Sequence, residues 1–432
     1  MRIALLAAIL LSAEGRGLRA EVSAEGRGLS AEALTSRFLS PPSPALSTLL
    51  SPQPSALRVY LITVGQGAAV WEKFGHNALW FFDGQDVDEA YNWGTFDFKQ
   101  PHFIQRFLTG DTRYWVEQYP GMPLMQFYRE ADRGIVVQRL NFSAEQATRA
   151  LAYARWNARE ENKYYRYDYY RDNCSTRVRD VIDYALGGAL KRQTANIRTS
   201  VSYRSETVRL VDDLTLTQLG IDIALGEPAD RRISLWEAMF IPMRMRDGIR
   251  GLRVSPDANA AKLVAEERVW YQSKQYQERS SVPRLWIPYL IIGLVLGAEF
   301  LAVGRARGRA RVADRLFRIE VAVWAFVTGL VGLILLLAWT TTRHVFWYGN
   351  ENLLLFNPLS LWLFVSVLLS FGRERFARHA AILAAIIAGA GVAAFVVKAI
   401  PAFRQDNLAI LCLVLPANVA IAWGMRGRRK EG

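Results

Sequence analysis

Cysteine and histidine are scarce in this sequence, which has two cysteines and four histidines in 432 residues. One cysteine, Cys412, falls in an apolar run near the end of the chain, so Cys174 stands alone in the rest. A disulfide within the chain is therefore excluded. Apolar residues are abundant: 51% of the chain is hydrophobic and 12% is aromatic, which excludes a disordered protein.

Five stretches after Arg284 contain little charge, and each is close to the roughly 20 apolar residues that a membrane-spanning helix needs. They are Leu285–Val303, Ile319–Trp339, Leu353–Phe371, Ala380–Val397 and Leu408–Trp423. The fifth is the least regular, because Pro416 and Asn418 interrupt it. A water-soluble fold rarely has so many uncharged runs in succession, so we predict an all-α membrane domain of five transmembrane helices at residues 284–432.

Basic residues are concentrated in alternate connections between these stretches. Six arginines lie in residues 305–318, three lie in residues 373–378, and Arg426, Arg428, Arg429 and Lys430 lie in the tail. Residues 340–352 and 398–407 have one and two basic residues. The positive-inside rule makes the basic connections cytoplasmic, which places everything before Leu285 outside. The start of the chain agrees, because Met1–Leu11 is similar to a secretory signal and too short to span a membrane.

The net charge of +13 follows from this topology. Residues 285–432 have 16 Lys and Arg against 7 Asp and Glu, so nine of the 13 excess charges belong to the membrane part. Because the excess lies where topology requires it, the charge does not indicate nucleic-acid binding. Anionic lipid headgroups are the expected counter-charge.

The first 56 residues have no pattern typical of a folded domain. The sequence SAEGRGL starts at Ser12 and again at Ser23, and a Pro/Ser-rich stretch runs from Ser40 to Ser55. We interpret residues 1–56 as a signal-like segment, a duplicated leader and a linker. The outer domain is then expected at residues 57–283.

Strand and helix patterns are mixed in the outer domain. Strands are predicted at Arg58–Val64, Ala78–Phe82, Asp88–Trp93 and Gly134–Asn141. A capping box at Ser143 opens a helix to about Arg159, and a second helix starts at Asp172 or Asn173 and stops at Gly187-Gly188. A further helix is predicted over Ser234–Arg253; it could lie on a membrane surface, although we favour packing against the domain. This order predicts an α+β domain.

Cys174 falls in the first turn of the second of these helices. Exposed amides and the positive end of the helix dipole would stabilise a thiolate there, and Arg171 and Arg177 add positive charge nearby. These surroundings are typical of a nucleophile. The alternative is a small apolar residue packed under the helix start, because free cysteine is commonly buried.

A thiol nucleophile needs a base within hydrogen-bond reach, and four histidines are available. His379 is predicted at the cytoplasmic edge of the fourth span, and His344 is in an outer membrane loop. His102 follows Pro101 in a stretch without strand pattern, whereas His76 comes directly before a strong strand. Position alone favours His76 only slightly over His102.

Three stretches, FGH at Phe74–His76, YNWGTF at Tyr91–Phe96 and DNCSTRVRD at Asp172–Asp180, resemble a known pattern. They are similar to the circularly permuted papain-like fold of the NlpC-type superfamily, which includes lecithin:retinol acyltransferase. More closely, the outer domain with its five-span tail resembles the lipoprotein N-acyltransferases of the type first recognised in Bacteroides. The resemblance covers the chain from about Leu57 to the end.

The resemblance implies a thiol-dependent acyltransferase with a catalytic dyad of Cys174 and His76. A third polar residue would orient the histidine, and Asn92 is the candidate, with Glu89 as the alternative. The implied donor is a phospholipid and the implied acceptor is a diacylated apolipoprotein, joined through a thioester on Cys174. Such a reaction needs no cofactor or metal. The implied location is the bacterial inner membrane, with the catalytic domain on the periplasmic side.

Substrate-binding residues are expected in two places. In the outer loop 341–352, His344 and Tyr348 could line a lipid entry or bind headgroups, although an aromatic residue such as Tyr348 could simply belong to an interfacial belt. Arg343 could contact a phosphate or be an ordinary snorkelling residue. Tyr169 lies in a run of tyrosines before the nucleophile. It could line the bottom of a groove for the acyl chain, or pack in a strand. Arg177 is expected near the thiol.

Two other functions fit the same residues. A membrane-tethered NlpC-type cysteine peptidase or amidase acting on cell-wall peptide would use the same dyad, although the five spans favour a lipid substrate. A membrane receptor or assembly factor with an inert papain-like domain would have no use for the thiol, and its activity would survive Cys174→Ser.

Overall fold

The computed structural model describes residues 56–213, 215–307 and 309–426. The predicted signal-like segment, the duplicated leader and Arg428, Arg429 and Lys430 of the tail lie outside the described residues. The chain forms two compact units. Unit 1 comprises the described residues up to Gln218 together with Arg232–Ser281, and unit 2 comprises Leu219–Arg231 and the chain from Val282 onward.

The strands of the described chain are numbered in order. They are β1 Arg58–Val64, β2 His76–Phe82, β3 Asp88–Thr95, β4 Arg113–Tyr119, β5 Ile135–Leu140, β6 Tyr164–Arg166, β7 Arg198–Ser202, β8 Arg232–Ser234 and β9 Val264–Tyr271.

The α-helices before the membrane segments are short. They are α1 Phe103–Thr109, α2 Gly121–Glu130, α3 Ala144–Asn157, α4 Cys174–Ala185, α5 Ala189–Thr194, α6 Tyr203–Leu210, α7 Thr215–Ala224, α8 Leu235–Ala238 and α9 Pro242–Ile249. The later helices are α10 Trp286–Ala306, α11 Arg311–Thr341, α12 Leu359–Leu369, α13 Glu374–Val396 and α14 Leu408–Met425.

Unit 1 is built on a seven-stranded sheet with the order β6-β4-β3-β2-β1-β5-β9, in which all neighbours are antiparallel. Alternate side chains of a strand point to opposite faces, and β1 shows this clearly. Val59 and Leu61 pack on one face with helices α3 and α4, whereas Tyr60 and Ile62 pack on the other with helix α2. Both faces are covered, which explains why the central strands are almost continuously apolar.

Local sequence signals predicted these elements well. Strand β1 has the predicted bounds, and Ser143 caps helix α3 through the expected box with Gln146. The single helix predicted over Ser234–Arg253 is wrong, because the segment forms the two short helices α8 and α9. Pro242 starts the second one, where its missing N–H costs nothing. Met239 and Ile249 are buried in the main core, so this segment packs against the domain.

Unit 2 confirms the five predicted spans. Its five candidate spans are Trp286–Ala306, Arg311–Thr341, Glu351–Leu369, Glu374–Ala399 and Leu408–Met425, each long and apolar enough to cross a membrane. The polar interruption in the last span has a structural use. Asn418 accepts a hydrogen bond from Trp324 Nε1 at 2.9 Å and donates to the Leu355 carbonyl at 3.3 Å, which joins neighbouring helices.

Small residues let helices α10 and α14 approach closely. A Cβ added to Gly293 would lie 2.1 Å from the Cys412 carbonyl oxygen, and one added to Gly297 would lie 3.1 Å from the Pro416 carbonyl oxygen. These glycines are four residues apart, the spacing that allows close backbone contact in membranes.

Unit 2 also contains the segment Leu219–Arg231, which by sequence falls inside the predicted outer domain 57–283. Asn350 Nδ2 donates to the Ile223 and Ala224 carbonyls, each at 2.9 Å, and Gln405 Nε2 donates to the Leu225 carbonyl at 3.1 Å. Buried amide side chains therefore fix this segment to the connections between the membrane helices.

Candidate active site

Cys174 is the first residue of helix α4, and the start of this helix is fixed by its cap. Asn173 Oδ1 accepts from the Thr176 amide at 2.9 Å, while Thr176 Oγ1 accepts from the Asn173 amide at 2.8 Å. Asn173 Nδ2 also donates to the Tyr169 and Phe240 carbonyls, each at 3.0 Å. The backbone that holds the sulfur is therefore set by a buried network.

His76 is the first residue of strand β2 and is 3% exposed. Gly75 before it has φ +76, and a Cβ at that position would lie 2.8 Å from the Val64 carbonyl oxygen. Only glycine fits this conformation without strain. The turn that starts the strand therefore places His76 in the sheet.

The start of helix α4 is bonded to the start of strand β2 through the residues that follow Cys174 and His76. Asn77 Nδ2 donates to Ser175 Oγ at 3.0 Å, and Ser175 Oγ donates to the Met239 carbonyl at 2.6 Å. All three residues are buried. This link holds the cysteine and the histidine in a fixed relationship.

Gly94 is the place where the two residues meet. It lies at an irregularity in the pairing of β3 with β4 and has φ +100. A Cβ added to Gly94 would lie 3.2 Å from Cys174 Cβ and 3.7 Å from His76 Cε1. Cys174 Cβ and His76 Cε1 are therefore no farther apart than the sum of these two distances. The structure brings Cys174 and His76 together.

Asn92 is hydrogen-bonded to the histidine ring. His76 Nε2 and Asn92 Oδ1 form a buried hydrogen bond, and Asn92 Nδ2 donates to Thr95 Oγ1 at 3.5 Å. Since an amide oxygen only accepts, His76 Nε2 carries the hydrogen and Nδ1 is the nitrogen that takes up a proton. Glu89, the alternative orienting residue, instead pairs with Arg155 and accepts from the Tyr91 hydroxyl at 2.6 Å.

The other histidines have different surroundings. His102 is exposed, has φ +59 and precedes helix α1. His379 lies in helix α13 and contacts Phe376. His344 lies in unit 2, where its ring stacks on Trp347 with centroids 5.0 Å apart.

The predicted substrate-binding residues divide between the units. In unit 1, Arg177 pairs with Asp172, and its guanidinium lies 4.2 Å from the centre of the Tyr165 ring. Tyr169 is half-buried against Tyr170. In unit 2, Arg343 is exposed and the Tyr348 hydroxyl donates to the Thr342 carbonyl.

Tyr165 belongs to the run of tyrosines before the nucleophile, and the sequence did not distinguish it from the others in that run. It is 9% exposed, packs in the same core cluster as Cys174, and its hydroxyl is buried with no hydrogen-bond partner in the described part of the chain. Burial, followed by the negative charge of Asp172, holds the pKa of Tyr165 well above its ordinary value of 10.0. The hydroxyl therefore keeps its proton and can act as a hydrogen-bond donor within this core cluster. The only sequence feature that could have pointed to Tyr165 as a site residue was its position in the run of tyrosines before Cys174.

The site as a whole offers a thiol, a base, an orienting amide and hydrogen-bond donors. The first amides of a helix have no acceptor within the helix, so the Cys174 and Ser175 amides are donors beside the sulfur. The buried Tyr165 hydroxyl is a further donor in the same core cluster. Among the described residues, no group of three or more His, Cys, Asp or Glu side chains could hold a metal ion. The arrangement has the parts required for nucleophilic thiol catalysis.

Fold and sequence comparison together define the class: a multi-pass membrane protein with a periplasmic N-terminal domain. The family model for the Lnb N-terminal periplasmic domain matches residues 49–212, and the model for the Lnb transmembrane domain matches residues 284–425. The chain is an Lnb-type membrane protein. No curated protein and no solved structure matches it.

Proposed function

We propose that this protein is an N-acyltransferase of the bacterial inner membrane. It transfers a fatty acyl chain from a phospholipid to the α-amine of a diacylglyceryl-cysteine at the N-terminus of a lipoprotein. The observation that supports this function is the meeting of Cys174 and His76 at Gly94 in a chain that also has five apolar helices. The proposal includes a permuted papain-like domain, in which a cysteine at a helix start faces a histidine at a strand start.

The first step forms the acyl-enzyme. His76 Nδ1 takes the thiol proton while the Cys174 sulfur attacks the ester carbonyl of the phospholipid. The helix-start amides and the Tyr165 hydroxyl donate hydrogen bonds to the oxyanion. The bond between the carbonyl carbon and the glycerol oxygen then breaks, His76 gives its proton to that oxygen, and a lysophospholipid leaves.

The second step regenerates the thiol. The neutral α-amine of the acceptor attacks the thioester carbonyl, and His76 takes a proton from the attacking nitrogen. The carbon–sulfur bond breaks, and His76 returns the proton to the Cys174 sulfur. The products are an amide-linked third acyl chain and the free enzyme, so no external oxidant or cofactor is consumed.

Asn92 serves both steps as a positioning residue. Its oxygen accepts from His76 Nε2, which keeps the proton on that nitrogen and leaves Nδ1 as the one that would accept the thiol proton. The same amide would stabilise the imidazolium that forms in each step.

The experiment uses the full chain purified into phospholipid nanodiscs, with a synthetic diacylated lipopeptide as acceptor. Mass spectrometry should detect an acyl adduct on Cys174 when the acceptor is omitted, and a third acyl chain on the peptide when it is present. Cys174→Ala should abolish both products, whereas Cys412→Ala, a cysteine change in a membrane helix, should retain both.

Folded protein that forms neither product would contradict the proposal. A cell-wall peptide substrate is included as a second arm, because a cysteine peptidase would use the same dyad. Cleavage of that peptide without acyl transfer would identify the protein as a peptidase instead.

A further inference from the structure

Helix α1 in unit 1 is exposed to an unusual degree. None of its seven residues is buried, although four of them are Phe, Ile or Leu. Ile104 is 74% exposed, the highest value for a large apolar side chain among the described residues. Leu108 and Phe107 are 62% and 55% exposed. For comparison, Trp362 in a membrane helix is 65% exposed.

The exposed side chains form one surface. Positions 104, 107 and 108 lie on the same side of a helix, since residues three and four apart are neighbours. Phe103 holds the helix to the domain through rings of Phe96 and Phe98, with centroids 6.0 Å and 5.1 Å away. Two exposed rings extend the surface, because Phe98 lies 5.5 Å from Trp71. We call Trp71, Phe98, Ile104, Phe107 and Leu108 the apolar patch.

The opposite side of helix α1 is polar. Gln105, Arg106 and Thr109 line a cavity of about 650 Å³ with Arg113 and the carboxylates Asp97 and Asp111. Arg166 Nη1 donates to the Gly110 carbonyl at the end of the helix, at 3.5 Å. Four basic residues, Lys99, Arg106, Arg113 and Arg166, therefore stand against the two carboxylates in this part of the domain.

We propose that the apolar patch docks unit 1 on the outer leaflet of the bilayer that its own chain spans. A short helix with bulky apolar side chains on one face and polar side chains, including Arg106, on the other is the arrangement of an interfacial membrane anchor. The apolar patch inserts among the acyl chains, and Arg106 and Arg113 face anionic headgroups. A bilayer is always available to this domain, because the same chain has five helices that could cross it.

The docking surface lies next to the candidate active site. Phe96, which contacts Phe98 of the apolar patch at 5.0 Å, follows Gly94 by two residues and is 4% exposed. Gly94 in turn lies against Cys174. Docking would bring the site to acyl chains, but it does not depend on the proposed reaction, because an inactive chain would dock in the same way.

The test measures the contact of two labelled positions with lipid in the full chain. A background without reactive thiols, Cys174→Ser with Cys412→Ala, receives Ile104→Cys, Leu108→Cys or Val269→Cys, each labelled with bimane. Val269 is the matched control, since it is 59% exposed on β9, at the other edge of the sheet from β6. Each protein is reconstituted singly in nanodiscs of zwitterionic or partly anionic lipid, with and without nitroxide-labelled acyl chains.

Nitroxide lipid should quench bimane at 104 and 108 at least about threefold more than at 269, and anionic lipid should increase the difference. Absence of lipid quenching at 104 and 108 overturns the proposal. If those labels are also protected from aqueous iodide, another part of the protein covers the apolar patch; if iodide reaches them, the patch faces water. One chain per nanodisc removes a second copy as the source of protection.

Discussion

His76 Nε2 donates a buried hydrogen bond to Asn92 Oδ1, and the two residues are 3% and 2% exposed. The partners lie on different strands, β2 and β3, so the bond depends on the pairing of the sheet and not on local sequence. It sets which ring nitrogen carries the hydrogen, and leaves Nδ1 as the nitrogen that can take up a proton.

Asn92→Ala should lower kcat for acyl transfer by about 10²-fold, the lower end of what general acid–base catalysis contributes, with little change in KM. The histidine would remain but would lose its orientation. Glu89→Gln is the control, because Glu89 pairs with Arg155 and should leave kcat within about twofold. Steady-state kinetics on both variants in nanodiscs checks this. A loss confined to KM, or equal losses in both variants, would contradict a positioning role for Asn92.

Gly94→Ala should impair both stability and catalysis. Its φ of +100 disfavours any side chain, and the added Cβ would lie 3.2 Å from Cys174 Cβ. We expect about 1–3 kcal/mol of destabilisation from backbone strain, and a further loss of activity from displacement of the cysteine. Thermal unfolding and initial rates of acyl transfer are the measurements.

The control for Gly94 is Gly84→Ala in the turn between β2 and β3. Gly84 also has a positive φ, +84, but the nearest atom to its added Cβ is 3.6 Å away on Arg58. This variant should lose comparable stability and keep its activity at temperatures where it is folded. If Gly84→Ala loses as much activity as Gly94→Ala, the loss of activity in Gly94→Ala comes only from its effect on folding.

Much of the fold could be predicted because its signals are local. The cap of helix α3 needs Ser143 and Gln146, which are three residues apart, and the membrane spans need only runs of apolar residues. The split between α8 and α9 was missed although Pro242 was visible, because apolar spacing across it continued to indicate one helix.

The choice between Asn92 and Glu89 could not be made from sequence spacing. The two positions are three apart in strand β3, so their side chains point to opposite faces of the sheet. Which face holds His76 depends on the register between β2 and β3, which is a long-range property. The same limit applies to Tyr165, whose proximity to Cys174 depends on how helix α4 packs on the sheet.

Tyr165→Phe should have opposite effects on stability and catalysis. The change removes a buried hydroxyl that has no partner in the described chain, so stability should be unchanged or slightly higher. The loss of one oxyanion donor should lower kcat by about 10²-fold. Because its pKa is raised, Tyr165 keeps its proton throughout the neutral range, so the ratio of wild-type to variant rates should not vary with pH there.

Tyr170→Phe is the matched control for Tyr165. The Tyr170 hydroxyl shares a buried 2.7 Å hydrogen bond with Thr207 Oγ1, so its removal should cost about 1 kcal/mol of stability and leave kcat nearly unchanged. Retention of full kcat by Tyr165→Phe would show that the Tyr165 hydroxyl does not contact the reacting atoms.

Glu206 should make the stability of unit 1 depend on pH below the neutral range. Burial raises the pKa of Glu206, but hydrogen bonds from Arg244 and Arg209 outweigh it and hold the pKa below its ordinary value of 4.5. As the pH falls, the unfolded chain therefore takes up this proton first. The stabilisation from the ion pair is complete above pH 4.5 and is lost as the pH falls through the lower pKa of the folded state.

Glu206→Gln should accordingly destabilise the protein by about 2–3 kcal/mol at neutral pH, because it leaves Arg209 buried with less compensation, while Arg244 is partly exposed. The difference from wild type should shrink as the pH falls below 4.5, where protonation of the wild-type carboxylate removes the same charge. Thermal unfolding at a series of pH values measures this, with Glu145→Gln in the exposed pair with Arg149 as a control that should change nothing. A difference that stays constant with pH would mean that Glu206 stabilises the fold by packing and not by its charge.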